Sequence, residues 1–141
     1  MDQMTEAEWR AFAMAETRTG TLAITRMDGR PHATPVWFAL DGSDVVFTTH
    51  ESSVKARELR RDSRATLCVD DQRPPYSFVM MEGEAALSGD LDEVRRWAAE
   101  IGGRYLGEEH AEECGERAGV PGALLVRLSV RKVVAYKEMA A

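Results

Sequence analysis

The sequence predicts a mainly β, α+β domain: an antiparallel barrel of six or seven short strands with about four peripheral helices. Three observations carry that prediction. Runs rich in β-branched and apolar residues are short and divided by turn signals rather than by helices. Helical patterns appear at the start, after the third strand and after the fifth, without the regular alternation of a parallel sheet. No G-x-G-x-x-G or G-x-x-x-x-G-K-[ST] run marks a Rossmann or P-loop unit.

The elements follow in order. Thr5-Glu6-Ala7-Glu8 has the form of a capping box, and Trp9, Phe12 and Ala13 follow at helical spacing, so residues 5–16 read as a short amphipathic helix. Thr21–Met27 is a strand, and Asp28-Gly29 is a hairpin turn because both positions tolerate positive φ. Pro31–Leu40 reads as one returning strand, with Val36, Phe38 and Leu40 on one face and Trp37 and Ala39 on the other. Pro35 has no N–H to give a ladder, so that side must face an edge, a bulge or a bound group. A second turn at Asp41–Asp44 leads into Val45–Thr49, which completes an expected three-strand meander.

Ser52 and Ser53 offer caps for a helix over 53–61. Arg64–Asp70 and Tyr76–Leu87 read as strands flanking a Pro74-Pro75 loop. Asp90 caps a longer helix, Leu91–Tyr105, with Leu91, Val94, Trp97, Ala98 and Ile101 in one stripe and Gly102-Gly103 expected to fray its end. A short acidic helix over 108–117 reads as a solvated face. Ala123–Val130 alternates with Leu124, Val126, Leu128 and Val130 inward, and Val133–Tyr136 extends it past a bulge.

With 141 residues the chain is expected to form one domain spanning 1–141, large enough to bury roughly two-thirds of its unfolded surface. Two cysteines, Cys68 and Cys114, are too few for a disulfide framework or a four-cysteine zinc site. The N-terminus has no apolar run of the signal-peptide kind and no stretch is long enough to span a membrane, so a reduced, cytoplasmic domain is expected. A net charge of −6 argues against nucleic acid as a partner. His32, His50 and His110 are scattered, and only His110 and Cys114 share helical spacing, so no metal site is expected. No G-x-S-x-G marks a nucleophile, and Cys68 reads as an inert mid-strand thiol.

The charge is unevenly spread. Residues 55–64 hold Lys55, Arg57, Arg60, Arg61 and Arg64 against Glu58 and Asp62, a local +3 that leaves −9 on the remainder. Concentrated positive charge at a serine-capped helix start suits an anion such as phosphate. A solvated face laced with intrahelical ion pairs is the competing reading. Trp37, Tyr76 and Phe78 are strand aromatics, which more often fill cores than carry cofactors, although Trp37 stands beside the edge-forming Pro35.

Taken in order, Gly20-Thr21-Leu22-Ala23, Asp28-Gly29-Arg30-Pro31-His32, Pro35-Val36-Trp37-Phe38, Phe47-Thr48-Thr49, Ser53-x-Lys55 with Leu59-Arg60-Arg61-Asp62-x-Arg64, Arg104-Tyr105-Leu106-Gly107 and Gly119-Val120-Pro121-Gly122 form a specific pattern. It resembles the pyridoxamine 5′-phosphate oxidase-like split β-barrel family, and within it the flavin/deazaflavin-dependent oxidoreductases that use coenzyme F420. The resemblance implies an FMN-binding type of split barrel, a homodimer with cofactor sites at its interface, and a small-molecule substrate. It also implies residue roles. Ser53 and Lys55 would bind the cofactor phosphate, with Arg60 and Arg61 as the following basic pair. Thr48 and Thr49 would stand beside the phosphate and ribityl chain, and Pro35, Val36 and Trp37 would face the ring system. Tyr76 and Phe78 would reach the site from a second copy.

Two departures narrow the expectation. Val54 stands where pyridoxamine phosphate oxidases often place an arginine, and the C-terminus lacks their Arg-Leu-x-Pro ending, which disfavours vitamin B6 oxidation. The resemblance therefore implies hydride transfer from reduced F420 to an electron-poor acceptor such as a quinone, an enone or a tetrapyrrole. An FMN oxidoreductase, or a non-catalytic carrier of flavin, F420 or haem, is the alternative.

Overall fold

A computed structural model describes all residues, 1–141, and most elements fall where the sequence patterns place them. Helix α1 spans Glu6–Met14. The hydroxyl of Thr5 accepts from the Glu8 amide at 3.2 Å, while the Glu8 carboxylate accepts from the Thr5 amide at 3.0 Å, the reciprocal bonds of a capping box. Strands β2 (Gly20–Thr25) and β3 (Pro31–Val36) form the Asp28-Gly29 hairpin, with Gly29 at a φ of +86°. A two-residue strand that the sequence did not reveal, β1 (Asp2–Gln3), pairs with the end of the last strand.

Pro31–Leu40 is not one strand. It divides at Trp37–Phe38 into β3 and β4 (Ala39–Asp41), which pairs with β5 (Asp44–His50). The expected meander is therefore two hairpins at opposite ends of one antiparallel sheet. Its order is β3-β2-β6-β7-β8-β5-β4, where β6 is Arg64–Asp71, β7 is Ser77–Ser88 and β8 is Ala123–Lys137. Because the two edge strands are joined by only two residues, the sheet must curl until its edges meet at Trp37–Phe38, without a ladder closing it. Pro35, missing its N–H, lies on an edge strand as required.

The curl encloses the larger core. Leu22, Ile24, Phe38, Phe47, Leu67, Val69, Val79, Met81, Val126 and Leu128 fill it, joined by Trp9 and Ala13 of α1 and by Leu59 of α2 (Val54–Arg61). Gly83 lies where β8 carries its bulge: a Cβ there would stand 1.9 Å from the Ser129 carbonyl oxygen, so only glycine allows the approach. A second core forms on the outer face of β4, β5 and β8, where Val94, Trp97 and Ile101 of α3 (Leu91–Leu106) pack on Ala39, Val46, Ala123 and Leu125.

Helix α3 does not fray at Gly102-Gly103. Both glycines are buried, and a Cβ on Gly102 would stand 2.5 Å from Cys114 of α4 (Ala111–Ala118). The pair admits α4 against α3, so tertiary packing overrides the helix-weakening propensity of glycine. A 3₁₀ turn, Glu108–His110, precedes α4. No helix is long and apolar enough to cross a membrane.

Candidate functional site

A cavity of about 790 Å³ opens between the outer face of the sheet and the α3–α4 pair. Pro35, Val36 and Trp37 form one wall where the sheet edges meet, and Thr48 of β5 and Lys55 of α2 line it from the barrel side. Ala98, Ile101 and Gly102 of α3, with Cys114, Arg117 and Ala118 of α4, line the other side. A half-apolar cleft of this size is the usual form of a small-molecule or cofactor site.

The corner at Trp37–Phe38 is held by two neighbouring residues of α3. The Arg104 guanidinium donates to the carbonyls of Phe38 at 2.7 Å, Ala13 at 2.9 Å and Glu16 at 3.2 Å, and lies over the Phe38 and Tyr105 rings. Tyr105 donates its hydroxyl proton to the Arg18 carbonyl at 2.7 Å and accepts from the Phe38 amide at 3.4 Å. Burial pushes the Tyr105 hydroxyl above its ordinary pKa, although the Arg104 charge and the Phe38 amide oppose this, so it remains a donor. The Trp37 indole stacks on the Tyr105 ring, which fixes one face of the indole at the cavity rim.

At the other end, Ser53 caps α2. Its hydroxyl accepts from the Ala56 amide at 3.1 Å and from the Thr49 hydroxyl at 2.9 Å, tying the end of β5 to the start of the helix. Lys55 then projects into the cavity. The charge run divides. Arg57 and Arg61 both pair with the buried Glu58 at 3.2 Å, and Arg64 pairs with Asp62 at 2.7 Å. Burial pushes the Glu58 carboxyl up, but the hydrogen bonds from Arg57 and Arg61 more than offset it and keep the group ionised. The ion-paired helix face thus holds for Arg57 and Arg61, Arg64 pairs with the helix C-cap Asp62 from the start of β6, and Lys55 alone of the run lines the cavity.

Of the residues singled out from sequence, Pro35, Val36, Trp37, Thr48 and Lys55 come together on the cavity. Ser53 and Thr49 stand behind Lys55 as its support. Arg60 is exposed and Arg61 donates to the Thr25 carbonyl at 2.5 Å; neither lines the cavity. Phe78 lies on β7 against Tyr136, ring centroids 6.0 Å apart, and Tyr76 precedes that strand at a φ of +66°; neither lines the cavity within one chain.

Sequence reasoning missed Thr19, Ala118, Cys114 and Arg117. The last three share one flank of α4, a helix whose many acids masked a lining role. The exposed glutamates are a solvated face as expected, but the opposite flank is a cavity wall.

The outer face of β3, β2, β6, β7 and the second half of β8, beyond the part that α3 covers, carries no helix. The register aligns Pro35, Thr21, Cys68, Met80 and Val134 in one row across five strands. Burial raises the Cys68 thiol pKa, with Asp70 adding to the effect, so this row is uncharged.

The profile of the pyridoxamine 5′-phosphate oxidase family matches residues 5–137. Among solved structures, the chain is similar to the conserved hypothetical protein Rv2991 from Mycobacterium tuberculosis, with a TM-score of 0.85 and 27% identity over 99% of this chain and 92% of that one. It is also similar to an F420 reductase, with a TM-score of 0.69 and 21% identity over 87% and 94% of the two chains. A FAD-binding protein from Mesorhizobium loti has a TM-score of 0.67 and 17% identity over 95% and 93%. No curated protein matches the sequence.

Proposed function

Because the chain belongs to the pyridoxamine 5′-phosphate oxidase family, we propose that its cavity holds coenzyme F420 and that it is a reductase acting on an electron-poor small molecule. The observation that carries this reading is the cavity's construction: an unpaired lysine beside a serine-capped helix start at one end, an aromatic corner at the other, and apolar walls between. The residues fit such a group. Lys55 supplies a charge-assisted hydrogen bond to a phosphate, helped by the free amides of the first turn of α2. Ser53 and Thr49 keep that turn in place.

Pro35, Val36 and Trp37 give a planar ring a rigid edge, because Arg104 and Tyr105 pin the corner from behind. Ile101, Ala98 and Gly102 exclude water from the far side. The bound deazaflavin supplies the hydride chemistry; the protein supplies orientation and a dry wall. Quinones, enones and tetrapyrroles are the acceptor classes that such hydride donation serves. FMN is the competing cofactor, since its phosphate would meet the same lysine.

The reading includes a homodimer. The helix-free row Pro35, Thr21, Cys68, Met80 and Val134 is apolar enough to seat a second copy, and Pro35 belongs to both row and cavity. A cavity completed in this way would take its remaining wall, Phe78 and Tyr76 included, from the second copy. The test is oxidation of reduced F420 across a panel of quinones, enones and tetrapyrroles, followed by the coenzyme's absorbance. Acceptor-dependent turnover supports the reductase; binding without turnover on any acceptor supports a carrier instead.

A further inference from the structure

Only two cationic side chains line the cavity, and they come from different elements: Lys55 from α2 and Arg117 from α4. Helix α4 is otherwise acidic, carrying Glu112, Glu113 and Glu116, all exposed and none of them on the cavity. The contact with α3 decides this orientation. Gly115, which has no room for a Cβ against the Arg95 carbonyl, fixes the rotation of the helix and brings Cys114, Arg117 and Ala118 onto the cavity flank. The single base of the helix is thereby its cavity residue.

The Arg117 guanidinium is available. Its one acidic neighbour, Glu113, approaches Nε at 3.7 Å on the preceding turn, and the arginine side chain is 80% exposed. Exposed pairs of this kind contribute little, and both terminal nitrogens remain open to a ligand. Arg61 points elsewhere, onto Glu58 and the Thr25 carbonyl, and Arg60 does not line the cavity.

We propose that Arg117 receives a carboxylate of the cofactor's oligoglutamate tail, a second anion site separate from the phosphate site at Lys55. The assignment rests on the deazaflavin reading above. A guanidinium suits a carboxylate because its planar fork donates two parallel hydrogen bonds, whereas the lysine acts as a point charge for phosphate. FMN ends at its phosphate and offers Arg117 nothing, so this residue makes the site prefer a cofactor that carries carboxylates beyond the phosphate.

Three ligands test it, titrated on the full-length protein by fluorescence: F420 with its glutamates, the same coenzyme without them, and FMN. Arg117→Gln should weaken the glutamate-bearing coenzyme about tenfold and leave the other two unchanged, whereas Lys55→Ala should weaken all three. Arg117→Glu should widen the loss, and the salt dependence of coenzyme binding should flatten in both Arg117 variants. An equal loss for the glutamate-free coenzyme, or no loss for either, overturns the assignment while leaving the cofactor reading intact. Failure of the wild-type protein to bind either deazaflavin refutes the cofactor reading and the tail site with it. Unchanged melting temperatures in the Arg117 variants establish that the helix still packs.

Discussion

The indole of Trp37 lies flat on the phenol ring of Tyr105, with centroids 4.8 Å apart and planes 3° from parallel. The stack joins the point where the two sheet edges meet to the last turn of α3, and Trp37 is 46% exposed on its remaining side. A barrel corner and a cavity rim are thus the same residue.

Tyr105→Phe keeps the stack but removes the hydroxyl that serves the Arg18 carbonyl and the Phe38 amide. It should cost about 1–2 kcal/mol in denaturant unfolding and leave ligand affinity nearly unchanged. Tyr105→Ala should lower cofactor affinity as well, because Trp37 loses its support; tryptophan fluorescence checks the change in environment.

Arg104 bonds three backbone carbonyls and meets no carboxylate. Arg104→Met should therefore destabilise the fold by about 2–4 kcal/mol, since it orphans acceptors at the corner. Urea unfolding of the variant measures this, and a loss below 1 kcal/mol would show that the corner does not depend on it.

The basic run divides into Lys55, which lines the cavity and is proposed to bind the cofactor, and residues that pair within the fold. Lys55→Ala should lower cofactor affinity about tenfold or more with little change in melting temperature. Arg61→Ala should do the reverse, because it leaves the buried Glu58 with one partner and breaks the contact with Thr25. Arg60→Ala should change neither. Parallel melts and titrations of the three variants separate the roles.

Acid sensitivity should come from ion-paired carboxylates. The side-chain hydrogen bond from Arg64 holds Asp62 down at about 2, and the corresponding bond from Arg73, with Arg18 nearby, holds Asp71 lower still. Depressed folded-state values mean that the stabilisation is present above the ordinary carboxylate range. It is lost as pH falls below about 4 and through the folded values. The melting temperature should thus be flat near neutrality and fall below about pH 4, and Asp71→Asn should make that acid limb shallower.

Met80 stands between Cys68 and Val134 in the helix-free row. Met80→Glu should convert the proposed homodimer to a monomer in sedimentation, because it would place a charge in the proposed interface. A wild-type chain that sediments as a monomer removes this part of the account.

Much of the architecture was legible because local rules and tertiary packing agree. The capping box at Thr5 and Glu8, the Asp28-Gly29 turn, the α3 stripe and the bulge in the last strand are all present. The missing N–H of Pro35 marked an edge and Ser53 marked a helix cap, but the roles of Pro35, Val36, Trp37 and Lys55 came from the family resemblance, and all four line the cavity. The division at Trp37–Phe38 was not legible, since residues on both sides of it alternate as a single strand would, and only the sheet order reveals that they belong to opposite edges. Gly102 and Arg117 were hidden for a related reason. Glycine in a helix signals weakness and an arginine among glutamates signals solvent, until the α3–α4 contact gives each a different neighbour.

The central claim is that the cavity at Lys55 and Trp37 is a deazaflavin site, and parallel fluorescence titration of the purified protein with F420 and with FMN tests it most directly. The account predicts saturable binding of F420, weaker binding of FMN, and loss of F420 binding in Lys55→Ala. Tighter binding of FMN than of F420, or F420 affinity unchanged by Lys55→Ala, would contradict it.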